Sequence, residues 1–395
     1  MKKLIANLND VWMVFSMEVR RVFSDHAVLL IFFIGPLIYP LIFCCMFSTE
    51  NVVDLPVAVV DEYPSDVSRR FTNKLDATPE IDVAYEVRTM AEAEQLMRDH
   101  RVHSVFYFPR DFSQRLAETR TAHISVFSDM SSFYYYKAAL LGGNNVLIDE
   151  MQTIELERYN AAGLGHDEAM AQIEPMVVES ITPFNPSGGY GSFFLPALML
   201  MVLHQTLFLG ITILCGDAAE HKQSLKLIPA HLRGRSVYRV TIGRSLCYLL
   251  IYIPIVLLDL WLIPRWFHLP QIGRLADVEL LLLPMLLGVI FMGMTIGNMF
   301  VRQKISPMLC FVFFSVVLYM MSGMVWPQSN MPRFWLAVSY LFPCTPGIQG
   351  YVRISSMGAQ LADVRTEYLA LWIQAGFYFL TACFSLRYIK RHYQQ

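Results

Sequence analysis

Hydropathy divides this chain into two kinds of segment. Long unbroken apolar runs occupy 27–47, 193–215, 246–264, 280–300, 305–326 and 368–386. A helix rises about 1.5 Å per residue, so about 20 apolar residues cross a hydrocarbon core about 30 Å thick. Each run is therefore read as one transmembrane helix, with Gly35, Pro36 and Pro40 predicting a kink in the first. Between 48 and 192 the rhythm changes. Short apolar stretches (LPVAVVD, IDVAYEV, SVFYFP, HISVFSD) alternate with amphipathic segments at 65–75, 90–99 and 111–118. Strands separated by such helices predict a small α/β domain with a partly parallel sheet. A long helix is expected from Phe133 to Asn160, until Gly163 and Gly165 break it. The expected fold class is an α-helical integral membrane protein with six transmembrane helices and an inserted extracytoplasmic α/β domain.

Ahead of the first run, Leu4, Leu8, Val11, Trp12, Phe15, Val19, Val22 and Phe23 recur at helical spacing, flanked by Lys2, Lys3, Arg20 and Arg21. Residues 1–26 thus read as an interfacial helix whose apolar face enters the acyl boundary and whose bases meet anionic membrane lipids.

Charge sharpens the division. Of 395 residues only 16% are charged and 55% are hydrophobic, which excludes an ordinary soluble enzyme. Residues 48–192 hold 23 of the 33 acids but 11 of the 31 bases, leaving the rest of the chain 10 acids and 20 bases. With the N-terminus in the cytoplasm, that side collects 15 bases in its short segments. They include Arg233, Arg235, Arg239 and Arg244, and Arg387 with Lys390 and Arg391 in the tail 387–395. The short outer loops keep five: Arg265, Arg274, Arg333, Arg353 and Arg365. The bias puts both termini inside and the acidic domain outside. The first run begins too late and runs too long for a cleaved signal peptide and reads as a retained anchor. All seven cysteines lie in or beside the spans, so the 48–192 domain folds without disulfides.

Candidate chemistry is sparse. There is no P-loop, no GxSxG elbow and no paired metal ligand, so neither catalytic residue nor metal site is expected. His100 and His103 read as surface residues, and Phe133 with Tyr134–Tyr136 as aromatics packing a helix on the sheet. Within the spans, His204 and Asp259 are the polar candidates for a pathway. Asp259 is placed near the outer end of its span, where water or Arg265 could satisfy it.

Two loops carry more. The segment 216–245 is basic, and Leu225, Leu227 and Ile228 stand between its charges, a pattern suited to docking an apolar ridge in a partner's groove. The segment 327–366 contains Phe334–Phe342, apolar but too short to span, bracketed by Pro327, Pro332, Pro343 and Pro346. Irregular backbone at membrane depth must be covered by protein or line a cavity, as a re-entrant hairpin would.

The order Glu220, His221, Lys222, Gln223, Ser224, Leu225, then Pro229 follows the second span. Gly323 stands near the end of the fifth, and Pro327, Met331, Pro332, Pro343 and Arg353 follow it. In this layout the chain resembles, over nearly its full length, the permease subunit of type-2 ATP-binding-cassette exporters, in the subgroup with a large extracytoplasmic domain between spans one and two. His221 and Gln223–Ser224 depart from the family's usual Arg and Gly-Thr. The resemblance implies ATPase coupling through Glu220, His221, Lys222, Leu225, Leu227 and Pro229. It implies an extracytoplasmic gate at Trp326, Pro327, Met331, Pro332, Pro343 and Arg353. It further implies a non-enzymatic chain binding no cofactor and no nucleic acid. ATP and Mg would sit at a separate ATPase present in two copies, and the permease would pair with a second copy or paralogue in a bacterial inner membrane. A periplasmic adaptor is left open. The competing classes are a membrane sensor or assembly factor with a ligand-binding outer domain, and a proton-coupled transporter or intramembrane enzyme.

Overall fold

The computed structural model describes residues 2–174, 176, 181–186, 188–229, 232 and 237–393, without the side chains of 2–6, 226, 309–315, 392 and 393. Arg233 and Arg235 of the basic loop lie outside the described residues. About 68% of the chain is helical, and it divides into two compact units, Thr49–Thr182 and Met1–Ser48 with Pro183–Gln395.

The smaller unit is built on a four-stranded sheet of β1 (Leu55–Asp61), β2 (Ile81–Val87), β3 (Ser104–Phe108) and β4 (Ser125–Ser128) in the order β2-β1-β3-β4. β1 pairs parallel with β2 and β3, and β4 closes antiparallel on β3. The central strands read as near-continuous apolar runs because both their faces are covered. Phe106 and Phe108 point into one core, Ala58, Val60 and Val105 into another. Writing α1 for the N-terminal helix Lys2–Ser24 and α2 for His26–Met46, the crossovers here are α3 (Asp66–Asp76), α4 (Met90–Arg98) and α5 (Phe112–Ala117). Ser65 starts α3 with a capping box through Ser68, and the Thr89 hydroxyl caps α4. The long α6 (Phe133–Ala161) crosses the sheet at Gly142 and Gly143, where an added Cβ would meet Ile81 and Phe106 at 2.7 Å. A short α7 (His166–Ile173) follows.

The larger unit is helical. α8 (Tyr190–Glu220) is buried along most of its length, as an all-round apolar helix must be. Around it stand α2, α9 (Tyr238–Trp266), α10 (Leu275–Met299) and α11 (Ser306–Met321), and α14 (Arg365–Tyr393) packs on α10. Close approach comes from small residues, as expected where apolar surface alone does not drive association: a Cβ on Gly297 of α10 would sit 2.8 Å from Cys215 of α8.

Five of these helices, α2, α8, α9, α10 and α14, are long and apolar enough to cross a membrane. The expected fifth span, 305–326, is the exception. Its helix α11 has 16 residues, about 24 Å at 1.5 Å per residue, because Gly323 takes φ +93° and turns the chain back.

The kink in α2 has a specific form. Leu30–Ile34 is a π turn two residues before Pro36, and Leu258–Leu262 of α9 is a π turn two residues before Pro264. Proline lacks the N–H that would bond the carbonyl four residues back, and its ring pushes that carbonyl away. At Pro264 the freed group is Leu260 C=O, which accepts instead from Gln271 Nε2 at 2.8 Å and Tyr351 OH at 3.2 Å.

Candidate functional site

The segments nominated by the sequence fall at opposite ends of the helical unit. At one end α1 lies on α9. Gly243 of α9 lets the two backbones close up, since a Cβ there would stand 2.8 Å from the Val11 carbonyl. The seam is charged. Glu18 of α1 accepts from Arg244 Nε at 2.8 Å and from the Tyr248 hydroxyl, with Arg244 fully buried. Asp10 accepts from Arg239 at 2.7 Å, and Arg21 donates to the Leu214 carbonyl of α8 at 3.2 Å. Burial pushes the Glu18 carboxyl up, but the guanidiniums of Arg244 and Arg21 and the Tyr248 hydroxyl outweigh it and hold Glu18 below the usual range. Where α1 meets α2, Asp25 caps α2 through Ala27 N–H and Val28 N–H and takes Lys304 Nζ at 2.6 Å.

The loop after α8 rests on this seam. Ser224–Leu227 forms a 3₁₀ turn, with Leu227, Ile228 and Pro229 buried and Leu225 half-buried. Ile228 packs with Val14 of α1, Val240 of α9 and Leu386 of α14. The expected apolar ridge for a partner's groove is therefore mostly spent inside the chain. What faces outward is Glu220, His221, Lys222 and Gln223. Lys222 takes φ +55°, ending α8, and the His221 ring lies 3.0 Å from the Asp217 carbonyl. Glu220 Oε2 accepts from the Lys304 backbone N–H at 2.8 Å. The exposed strip is thus tied to the α10–α11 connection.

At the other end α12 (Arg333–Ser339) and α13 (Cys344–Ser355) form a helical hairpin around Pro343. Pro343 packs on Gly288 of α10. The hairpin is strapped by side chains donating to carbonyls that helix ends leave free. Gln349 reaches Ser322 O at 2.6 Å, Gln374 reaches Tyr340 O at 2.5 Å, and Tyr378 reaches Leu341 O at 2.6 Å. Arg353 bridges to Glu367 at 2.8 Å and to Asp363 O at 3.0 Å, pinning α13 to the start of α14. Pro343 and Arg353 are thus built into the scaffold, whereas Trp326, Pro327 and Pro332 are exposed and Met331 is half-buried.

His204 of α8 and Asp259 of the second π turn are 1% and 0% exposed, and none of their side-chain nitrogens and oxygens has a hydrogen-bond partner among the described residues. Arg265 does not serve Asp259 as expected. Its guanidinium lies 5.3 Å from the ring centre of Trp261, four residues back. In the smaller unit His103 is not a plain surface residue either: it stacks on Tyr135 at 4.0 Å and sits 3.6 Å from Asp129.

Residues 26–384 match the family described as ABC-2 family transporter protein. The chain belongs to the ABC-2 transporter family. It is also 22% identical over 376 residues to the linearmycin resistance permease protein LnrN of Bacillus subtilis (strain 168), across 92% of this chain and 94% of that relative. No solved structure matches it. As an ABC-2 family member with this set of apolar helices, the chain is a multi-pass membrane protein and the transmembrane permease subunit of an ABC exporter. In this permease the family match begins at His26, the first residue of α2 and eight residues past Glu18 of the seam. The seam itself was hidden in the sequence. Its one signal is an acid interrupting the apolar stripe of α1 and an arginine just inside α9.

Proposed function

We propose that this permease forms half of an export pathway that crosses the membrane six times. The N-terminus, the 216–245 loop and the C-terminal tail would face the cytoplasm, and Thr49–Thr182 would be the extracytoplasmic domain. The basic bias of the short cytoplasmic loops supports that orientation in a bacterial inner membrane. α11 supplies the sixth crossing with its flanking residues 305 and 322–326. The second half is another copy or a paralogue, and ATP with Mg binds at two copies of a separate ATPase. A periplasmic adaptor is compatible with this layout.

The observation that carries the reading is the mounting of the loop after α8. Glu220–Gln223 is exposed, yet it is fastened through Glu220 to the α10–α11 connection, and through Ile228 to a core shared with α1, α9 and α14. An ATPase pressing on this strip would move several spans together. At the opposite end the strapped α12–α13 hairpin, read as re-entrant, closes the pathway until the spans separate.

Affinity purification from the native membrane in mild detergent tests the partner: a stoichiometric P-loop subunit with vanadate-sensitive ATP hydrolysis is expected. The coupling strip is tested by the double variant His221→Glu, Lys222→Glu, which alters exposed residues only. Export and its coupling to ATP hydrolysis should fall while the protein still inserts and keeps its melting temperature. Full export in a well-inserted double variant sinks the coupling role.

A further inference from the structure

The smaller unit leaves a cleft open between α5, α6 and the 119–124 segment, about 560 Å³ in volume. A volume of this order suits a drug-sized molecule. Its floor is a helical stripe on α6, Leu147, Met151 and Ile154, facing Phe71, Leu116 and Ile124. Leu147 is 37% and Met151 54% exposed, so this stripe is not absorbed by the unit's own core. A second recess of about 90 Å³ shares Phe71, Ile124 and Leu147 and extends the apolar wall toward Val126 of β4.

The walls are fixed without the cleft being filled. Glu150 bridges Arg70 and Lys74 of α3, each at 2.8 Å, and Arg158 donates to the Leu116 carbonyl of α5 at 2.5 Å. Polarity is graded along the length. From Leu147 to Arg158 is eleven residues, about 16 Å of helix, and Arg158, Arg120 and His123 gather at the α5 end. Of the two carboxylates on the lining, Glu150 is neutralised by its two bridges, and Glu118 at the rim pairs with Arg120 at 3.2 Å, leaving Glu155 against the Arg158 guanidinium and the His123 imidazole.

We propose that this cleft binds a single-chain amphiphile with an anionic head, its chain along Leu147–Ile154 and its head at Arg120 and Arg158. The proposal concerns the Thr49–Thr182 unit alone and stands or falls independently of the transport reading. The test uses the full-length protein in nanodiscs and a diazirine-bearing palmitate, with cross-links mapped by mass spectrometry. Saturable labelling is expected within 116–158, competed by unlabelled palmitate and not by its methyl ester. Met151→Glu should cut it at least about tenfold by placing a charge on the chain's path. Arg120→Gln with Arg158→Gln should cut it about tenfold by removing charged hydrogen bonds to the head. Met151→Trp fills the space with apolar atoms, so a folded protein is retained and labelling should still vanish. Labelling confined to the membrane helices, equal labelling of Met151→Trp, or equal competition by the methyl ester would overturn the proposal.

Discussion

The two ends of the helical unit are held by different chemistry. Around α1 the contacts are ionic: Glu18 with Arg244 is enclosed, while Asp10 with Arg239 and Asp25 with Lys304 are more open. Around the hairpin they are mostly neutral donors on carbonyls, Gln349, Gln374 and Tyr378 each closing one helix end. An enclosed charge pair contributes little net stability but is costly to break, because its removal strands the surviving charge. A neutral strap contributes about 1 kcal/mol and loses about that much when cut. The first end should therefore fail all at once and the second by degrees.

The largest expected effect is at the seam. Glu18→Ala or Arg244→Ala should each destabilise by about 3–5 kcal/mol, read as a large drop in apparent melting temperature or loss of the monodisperse peak in detergent. The double variant Glu18→Leu, Arg244→Met should recover most of that loss, since apolar replacement of a whole buried pair is often near neutral. If the double variant is as unstable as either single one, the stranded-charge account is wrong.

Next comes Gly323. At φ +93° an alanine is strained, and its Cβ would meet Gln349 Nε2 at 2.4 Å, so the strap from Gln349 to Ser322 must give way as well. Gly323→Ala should destabilise by about 1–2 kcal/mol, more than Gln349→Ala alone at about 1 kcal/mol. Gln349→Ala and Tyr378→Phe share no partner, so their effects should add. Strong coupling between them would make the hairpin end as cooperative as the seam and erase the contrast.

How much of this could be read from the chain follows the range of each interaction. The strands of the smaller unit and the helices that follow Ser65 and Thr89 were legible because short apolar runs and amphipathic spacing are local. The apolar spans were legible from length, although hydropathy does not register the Gly323 turn that follows the 16-residue α11. Pro36 announced a kink but not its π form, although Pro264 repeats the same offset in α9. Arg265 over Trp261 was available from its four-residue spacing and was missed in favour of Asp259. The seam joins residues 226 apart, and nothing local says that Glu18 meets Arg244. For the same reason Leu227 and Ile228 read as a docking ridge, when α1 and α14 already cover that face.

The smallest effect is at Asp25, and it tests whether the seam's ionic character reaches the α1–α2 junction. Burial pushes this carboxyl up, while the Lys304 ammonium and the Val28 and Ala27 amides pull it further down, so it titrates below its ordinary range. A depressed folded pKa means stability that is present above the unfolded value, about 3.9, and lost as pH falls through the folded one. Lys304 is shifted the opposite way: burial lowers it, but Asp25 and Asp217 outweigh that and raise it. Its contribution is complete below about 10.4 and is lost as pH rises beyond its folded value. Wild type should therefore melt above Asp25→Asn by a constant margin across neutral pH, with the margin closing below about pH 4 and again at strongly alkaline pH. Both groups are partly exposed, so the margin should also shrink in high salt, whereas the loss in Glu18→Ala should not. A salt-insensitive margin at Asp25 would extend the enclosed seam to the junction; no margin at any pH would end it at Glu18.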